Sequence, residues 1–402
     1  RKVSVFNVAD PRKGLEEFSE KLQSSRDRKP AWIIDALFGI GLSRPLNAEW
    51  GRLIHALNDS KISIAAVDVP SGLNADTGEA EESAIRAEIT LTVGAPKIGL
   101  LKSPAFTGRV EVLSEVGFAP CKIDSELIWT EPRDFEGWPP PRPVASNKGD
   151  FGHVAIIAGS HGYHGAGVVA AWGALRARPG LVTVYPQADA YVPVASQLQS
   201  AMVHPWRAGK TPAKNCSALL YGPGLAAEDL SAAVKKEMRT AWRNSPLAMV
   251  VDASALDWLQ PGPIPRHAGR VITPHPGEAG RLLGSDAKTV QADRVGTLRE
   301  ISKKFGNCCV VLKGHQTLVG HSTGKIYVNT SGNPWLAQGG SGDLLSGYVA
   351  GLLAQPEWRR DPLFASRFAV WQHGAAADEL SRSSPNWTIE ELGRRLGQVS
   401  AR

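Results

Sequence analysis

Asp343 is the carboxylate whose surroundings suggest the most chemistry in this 402-residue chain. The run Asn333-Pro334-Trp335-Leu336-Ala337-Gln338-Gly339-Gly340-Ser341-Gly342 leads into it, and Leu344-Leu345-Ser346-Gly347 follows at once. Glycines let backbone amides converge on an anion, and a helix start offers unpaired N–H groups to it. An acid placed there can cap the helix, or it can take a proton from a hydroxyl as that oxygen attacks a bound phosphate. The residue types alone leave both uses open.

Other strand-end segments add polar groups. Lys313-Gly314-His315-Gln316-Thr317 follows the apolar Val310-Val311-Leu312, which can bring a mobile positive charge to phosphate, although a solvated turn lysine fits as well. Gly222-Pro223-Gly224 permits close backbone approach to a ligand or a plain turn. Thr273-Pro274-His275-Pro276-Gly277-Glu278 offers His275 and Glu278 to a pocket, or a capped helix starting near Gly277. Ser160 to Gly167 is neither a GxGxxG fingerprint nor a Walker A loop; it reads as a substrate loop or a turn before an alanine-rich helix ending about Arg178. His153, His161 and His164 make no metal triad, so no protein-bound zinc is expected, and Mg²⁺ should arrive on nucleotide phosphates.

These segments need strands to hold them. Residues 152–159, 181–185, 219–221, 248–252, 270–273 and 309–313 are short apolar runs that each end in a loop, the pattern of an open parallel sheet binding ligands at its carboxyl edge. Earlier in the chain, residues 31–38, 62–70, 89–93 and 108–113 read as strands, with a helix over 47–57. The opening Arg1-Lys2-Val3-Ser4-Val5-Phe6 also looks like a strand, and the missing initiator Met suggests a fragment, a processed chain or incomplete coverage. The proline-rich 130–147 breaks both periodicities and is expected to be a stiff linker between domains 1–129 and 148–402.

Composition bounds the rest. With 43% apolar and 21% charged residues, 41 Gly and 28 Pro, the chain reads as a loop-rich globular protein rather than a disordered one. A net charge of +6 suits anionic substrates, and no basic run or motif calls for nucleic acid. Cys121, Cys216, Cys308 and Cys309 form no metal knuckle and read as buried thiols in a reducing compartment. There is no membrane-length apolar run, so cytoplasmic placement is the simplest expectation.

Taken together, residues 145–400 resemble the ADP-dependent NAD(P)H-hydrate dehydratase family, the C-terminal half of bifunctional NAD(P)H-hydrate repair proteins. The resemblance implies a ribokinase-like α/β fold. It implies that Asp343 acts on the hydroxyl of the hydrate NADHX or NADPHX, that Gly342 contacts the AMP part of the nucleotide, and that Lys313, Gly314, His315, Gln316 and Thr317 embrace adenylate and phosphate. Ala166, Gly224 and His275 match positions around the hydrated dinucleotide. Pro179 departs from the small residue more usual before Gly180. ADP would be the phosphoryl donor, with Mg²⁺, and a homo-oligomer is expected. A small-molecule kinase of the same architecture and a silent nucleotide-binding scaffold are the competing functions.

Residues Asp35-Ala36-Leu37-Phe38-Gly39-Ile40-Gly41-Leu42 and Val67-Asp68-Val69-Pro70-Ser71-Gly72-Leu73 resemble the NAD(P)H-hydrate epimerase family, which has a Rossmann-like α/β fold. That implies a K⁺ held near Asp35 and Ser71, a substrate loop from Gly39 through Ile40, Gly41 and Leu42 to Asn47, and a proton-handling Asp68. From the residues alone, an Asx turn followed by Pro70-Ser71-Gly72 is the favoured reading of Asp68. The glycine- and asparagine-rich phosphate motif of that family is absent, so the expectation is an incomplete epimerase domain with weak activity at best.

Overall fold

The computed structural model describes residues 3–24, 30–42, 44–80, 83–113, 116–117, 124–210, 215–228, 230–384 and 386–401. The chain forms two compact units, residues 1–123 and 124–402.

In the smaller unit, β1 (Trp32–Asp35), β2 (Ser63–Val67), β3 (Ile89–Val93) and β4 (Arg109–Leu113) pair in sequence order, all parallel. Parallel neighbours need a crossover, and the helix Ala48–Asp59 supplies the first. Asn47 starts it, its Oδ1 accepting from the amides of Glu49 and Trp50 at 3.1 Å. Leu53, Ile54 and Leu57 form one helical stripe that buries against Ile64, Ala66 and Ile85. Of the opening run, Arg1 and Lys2 lie outside the described residues and Val3 to Phe6 form no strand: Val3 and Val5 are exposed, and a short apolar run yields a strand only where a neighbouring edge pairs with it.

The larger unit is built on ten strands: β5 (Leu127–Trp129), β6 (His153–Ile157), β7 (Leu181–Val184), β8 (Met202–Val203), β9 (Ala218–Tyr221), β10 (Ala248–Val251), β11 (Arg270–Ile272), β12 (Cys309–Leu312), β13 (Leu318–Gly320) and β14 (Ile326–Val328). Their order across the sheet is β5-β14-β13-β12-β11-β10-β9-β6-β7-β8. All neighbours are parallel except β12 with β13 and β13 with β14. The central strands β9, β10, β11 and β12 are buried along their whole length, which is why they read as continuous apolar runs.

The proline-rich stretch is not a free linker. Strand β5 just before it belongs to the larger sheet, and Phe135 is wholly buried with ring centroids 5.7, 5.4 and 5.2 Å from Phe364, Phe368 and Trp371. Trp138 packs on Trp358 at 4.5 Å, and Arg367 Nη2 bonds Asp134 Oδ2 at 2.7 Å. Prolines stiffen the segment, but its aromatics decide where it lies, since burying each such ring contributes about 1.5–3 kcal/mol.

Cys216, Cys308 and Cys309 are buried free thiols; Cys121 lies outside the described residues. Among the described residues no helix is long and apolar enough to cross a membrane.

Candidate active site

Strands β12, β11, β10, β9 and β6 are consecutive neighbours running the same way, so the segments that leave their carboxyl ends meet on one edge. These are Lys313 after β12, Thr273 to Glu278 after β11, Asp252 after β10, Gly222-Pro223-Gly224 after β9 and the Ser160 loop after β6.

Asp343 reaches this edge from the helix Ser341–Leu353, which begins after Gly340 in a left-handed conformation (φ 92°). The helix is seated by backbone contact with the helix His164–Arg176. A carbon added at Gly347 would stand 1.9 Å from the Ala170 carbonyl oxygen, and one at Gly173 would stand 2.1 Å from that of Leu344. Only hydrogen fits in either place, so these glycines set the height of the Asp343 turn above the sheet.

Lys313 Nζ bonds Asp252 Oδ1 at 2.9 Å and lies 3.7 Å from Glu278 Oε2. Burial acts to lower the lysine's pKa, but Asp252, Glu278 and Asp343 together outweigh it and leave the pKa raised. Asp343 behaves in the opposite sense to an exposed acid. Burial and the negative charge of Asp252 push its carboxyl up to about 7; Lys313 offsets part of this and Glu278 adds to it. A carboxyl poised there takes or gives a proton at neutral pH.

Glu278 is buried and closes a capping box: its Oε2 accepts from the His275 amide at 2.7 Å, while His275 Nδ1 accepts from the Gly277 and Glu278 amides at 3.0 and 3.4 Å. His275 therefore starts the helix Pro276–Leu283 and leaves its ring half exposed. The 313–317 segment turns through Gly314 (φ 135°) and Gln316 (φ 51°), and Thr317 Oγ1 bonds the Gly314 carbonyl at 3.0 Å. Behind Asp343, Ser341 Oγ lies 3.4 Å from Nε2 of the buried His373. Burial lowers that histidine to about 4, so it is neutral at physiological pH.

Gly224 and Ala166 also meet. A carbon added at Gly224, whose φ is 65°, would lie 2.9 Å from the Ala166 Cβ and 2.3 Å from the Tyr163 carbonyl oxygen. Ser160 Oγ locks the two loops by donating to the Gly224 carbonyl at 2.6 Å.

With this geometry in place, relatives can be compared. The protein-family model described as NAD(P)H-hydrate dehydratase matches residues 154–394, and that of the YjeF-related protein N-terminus matches residues 7–99. The bifunctional NAD(P)H-hydrate repair enzyme of Coxiella burnetii is 37% identical over 362 residues, covering 87% of this chain and 71% of that protein. The Escherichia coli enzyme of the same name is 35% identical, covering 87% and 67%. The chain belongs to the bifunctional NAD(P)H-hydrate repair enzyme family. Among solved structures, an ADP/ATP-dependent NAD(P)H-hydrate dehydratase from Bacillus subtilis, co-crystallised with ATP and Mg²⁺, aligns at TM-score 0.59 and 27% identity over 67% of this chain and 96% of that one. A ribokinase-like superfamily protein from Enterococcus faecalis aligns at TM-score 0.59 and 24% identity, over 70% and 97%. The larger unit thus has the ribokinase-like fold, and the smaller is the α/β N-terminal unit of the repair-enzyme family.

Sequence reasoning did not assign three residues to this repair-enzyme cleft. Asp252 was only a strand end, although an acid closing a wholly apolar strand is itself a signal. Arg294 donates to the carbonyls of Leu312, His315 and Gln316 at 3.2, 2.5 and 3.4 Å and so pins the 313–317 turn. His373 lies on a distant helix, and nothing in its neighbours marks it.

In the smaller unit, Asp35 is buried. Its Oδ2 accepts from the Ser71 amide at 2.8 Å, and its Oδ1 from Ser71 Oγ at 2.7 Å and the Leu37 amide at 3.3 Å. Burial raises its pKa against these bonds. No basic side chain pairs with it among the described residues, so a bound monovalent cation would fit that uncompensated charge. Asp68 stands at φ 69°, its Oδ1 accepting from the Val93 amide at 2.9 Å and pairing with Lys97. Gly39, Ile40 and Gly41 form an exposed turn with Leu42, whose amide bonds the Gly39 carbonyl at 3.3 Å.

Proposed function

We infer that the larger unit dehydrates the S hydrates of NADH and NADPH, consuming ADP and releasing AMP and phosphate. The observation that carries this is a carboxyl poised near neutrality at a glycine-rich helix start, beside a lysine held by two acids. Asp343 takes the proton of the ring hydroxyl as that oxygen bonds the terminal phosphorus of ADP and the bond to AMP breaks. Lys313 and the amides of the first helical turn meet the charge that gathers on the phosphate oxygens. Hydroxide is a poor leaving group and phosphate a good one. The ring nitrogen's electron pair then expels phosphate, and loss of a ring proton restores the dihydronicotinamide. Gly224, Ala166 and His275 border the hydrate, while 313–317 and Gly342 border the nucleotide.

Among the described residues no three side chains converge to hold a metal. The acids are nevertheless hard oxygen donors, so Mg²⁺ carried on the phosphates would find Asp252 and Glu278 nearby and add neutralising charge. In the smaller unit, Asp35 and Ser71 would hold a K⁺, and Asp68, paired with Lys97, moves the proton in a weak interconversion of the R and S hydrates beside the 39–42 turn.

The test incubates S-NADHX with ADP and Mg²⁺ and follows recovery of dihydronicotinamide absorbance. A stable phosphorylated alcohol in place of that recovery would reassign the unit as a kinase. Unchanged turnover in Asp343→Asn would remove that residue from its role.

A further inference from the structure

The proline-rich segment takes no part in the cleft, yet it walls a cavity of about 840 Å³ that also involves Trp138, Arg142, Arg176, Arg178, Tyr348 and Trp358. Asp150 precedes β6 and Arg178 precedes β7, so this cavity lies at the amino edge of the sheet, opposite Asp343. Its size is that of a small-molecule site.

Arg142, Arg176 and Arg178 are among its lining residues; the charges of Arg142 and Arg178 face one another here, while that of Arg176 faces Arg394, which lines a different cavity. Among the described residues no salt bridge reaches Arg142, Arg176 or Arg178. The acids on the wall are engaged elsewhere: Asp150 Oδ2 accepts from the amide and side chain of Asn147 at 2.7 and 3.0 Å, and Glu357 pairs with Arg360 at 2.7 Å. The Arg142 guanidinium carbon stands over the Phe151 ring, 3.7 Å from its centroid, with Nη2 tied to the Arg178 carbonyl and to Gln355 Oε1. That fixes a planar fork whose remaining edge is open to an anion. Burial, then the like charge of Arg178, lowers the Arg142 pKa; burial, then Arg394, lowers that of Arg176. Arg178 is itself held at φ 59°, a backbone region disfavoured for its side chain.

A second observation points into the same space. Tyr348 is 2% exposed and lines the cavity, and its hydroxyl has no partner among the described residues. Burial raises its pKa and the positive charge of Arg178 acts against that, so the hydroxyl lies in the field of the arginines. The other walls are flat and apolar: the Trp138 and Trp358 rings and prolines 139, 140, 141 and 143.

We propose that this cavity is a second ligand site, for a nucleotide 5′-phosphate, with the phosphate at Arg142, Arg178 and the Tyr348 hydroxyl and the base against Trp138 and the prolines. Inorganic phosphate would leave most of the volume and the whole aromatic wall unused. Tyr348 and Leu352 belong to the helix that begins two residues before Asp343, so an occupant would touch the element that carries the proposed base.

Calorimetric titration of the full chain with AMP counts sites without relying on turnover, so it stands apart from the dehydratase reading. Wild type is expected to bind two AMP per chain, Lys313→Met one, and Arg142→Gln/Arg178→Gln one. Tyr348→Phe keeps the ring and removes only the hydroxyl. It should weaken the site remaining in the Lys313→Met background about tenfold while leaving the dehydration kcat of the otherwise wild-type chain unchanged. The same background titrated with NADH and with inorganic phosphate separates the sources: tighter binding of either nucleotide than of phosphate supports the proposal and names the ligand. A single AMP per wild-type chain, an unchanged count in the arginine variant, or phosphate binding as tightly as AMP would overturn it. Should the arginine variant melt early, Tyr348→Phe decides alone.

Discussion

The Lys313 ammonium lies over the α-carbon of Gly342: a first side-chain carbon added there would stand 3.2 Å from Nζ. From the other side the same nitrogen is held by Asp252 at 2.9 Å and faces Glu278 at 3.7 Å. The lysine is fixed between acids and a bare stretch of backbone, which keeps its charge beside the first helical turn rather than in solvent. On the proposed mechanism this placement serves to stabilise charge on phosphate.

Gly342→Ala therefore separates function from stability. Gly342 is helical and not in the left-handed region, so alanine suits the helix by up to about 1 kcal/mol and the melting temperature should hold or rise. The added methyl displaces Nζ by a few tenths of an ångström, and turnover with ADP should fall about tenfold or more. Steady-state kinetics and a thermal melt on one preparation check it; an activity equal to wild type would mean Lys313 is not placed by this contact.

The dehydration rate should rise with pH through about 7 and level off above it, because the proton acceptor must be ionised and the Asp343 carboxyl sits at about 7. Asp252 holds it there in part, so Asp252→Asn should move the rising limb of kcat/KM to lower pH, even as the rate itself drops with Lys313 released. A limb that stays in place would show that some other group titrates.

The raised carboxyl also bears on stability. Between the unfolded value of about 4 and the folded value of about 7, the native state binds more protons than the unfolded one, so this residue makes stability fall as pH rises through that window. Below it both states are protonated and the effect vanishes. Asp343→Asn should match wild type near pH 4 and melt higher at pH 7 and above. Urea titrations at the two pH values measure the difference; an Asn variant less stable at pH 8 would reverse the sign and reject the burial argument.

How much of this was legible follows from what each residue needs from its neighbours. Asp343 and the 313–317 turn announce themselves because glycines and an apolar run flank them locally. The central strands did so because burial on both faces leaves an unbroken apolar run. Strands β13 and β14 did not, being three residues each and stabilised by pairing across a hairpin rather than by pattern. The 130–147 segment misled for a related reason: its prolines say stiff, whereas Phe135 and Trp138 settle where it packs, and only the tertiary structure shows their aromatic partners. Asp252 became visible as a site residue only through Lys313, sixty-one positions away.

Asp35 supports a final prediction, about the smaller unit. Its charge is buried, hydrogen-bonded to Ser71 and Leu37, and unpaired with any cation among the described residues. A K⁺ settling there would bind the native chain and not the unfolded one, raising stability with concentration by mass action. Melting in KCl should exceed melting in an equal ionic strength of tetramethylammonium chloride, whose cation is too large for a serine-carboxylate niche. Asp35→Ala should lose that increment, and Ser71→Ala should reduce it. The comparison between salts removes general screening, which acts alike in both. An equal response in wild type and Asp35→Ala would place any K⁺ effect elsewhere, while no response in wild type would leave the carboxylate charge to be met by its hydrogen bonds alone.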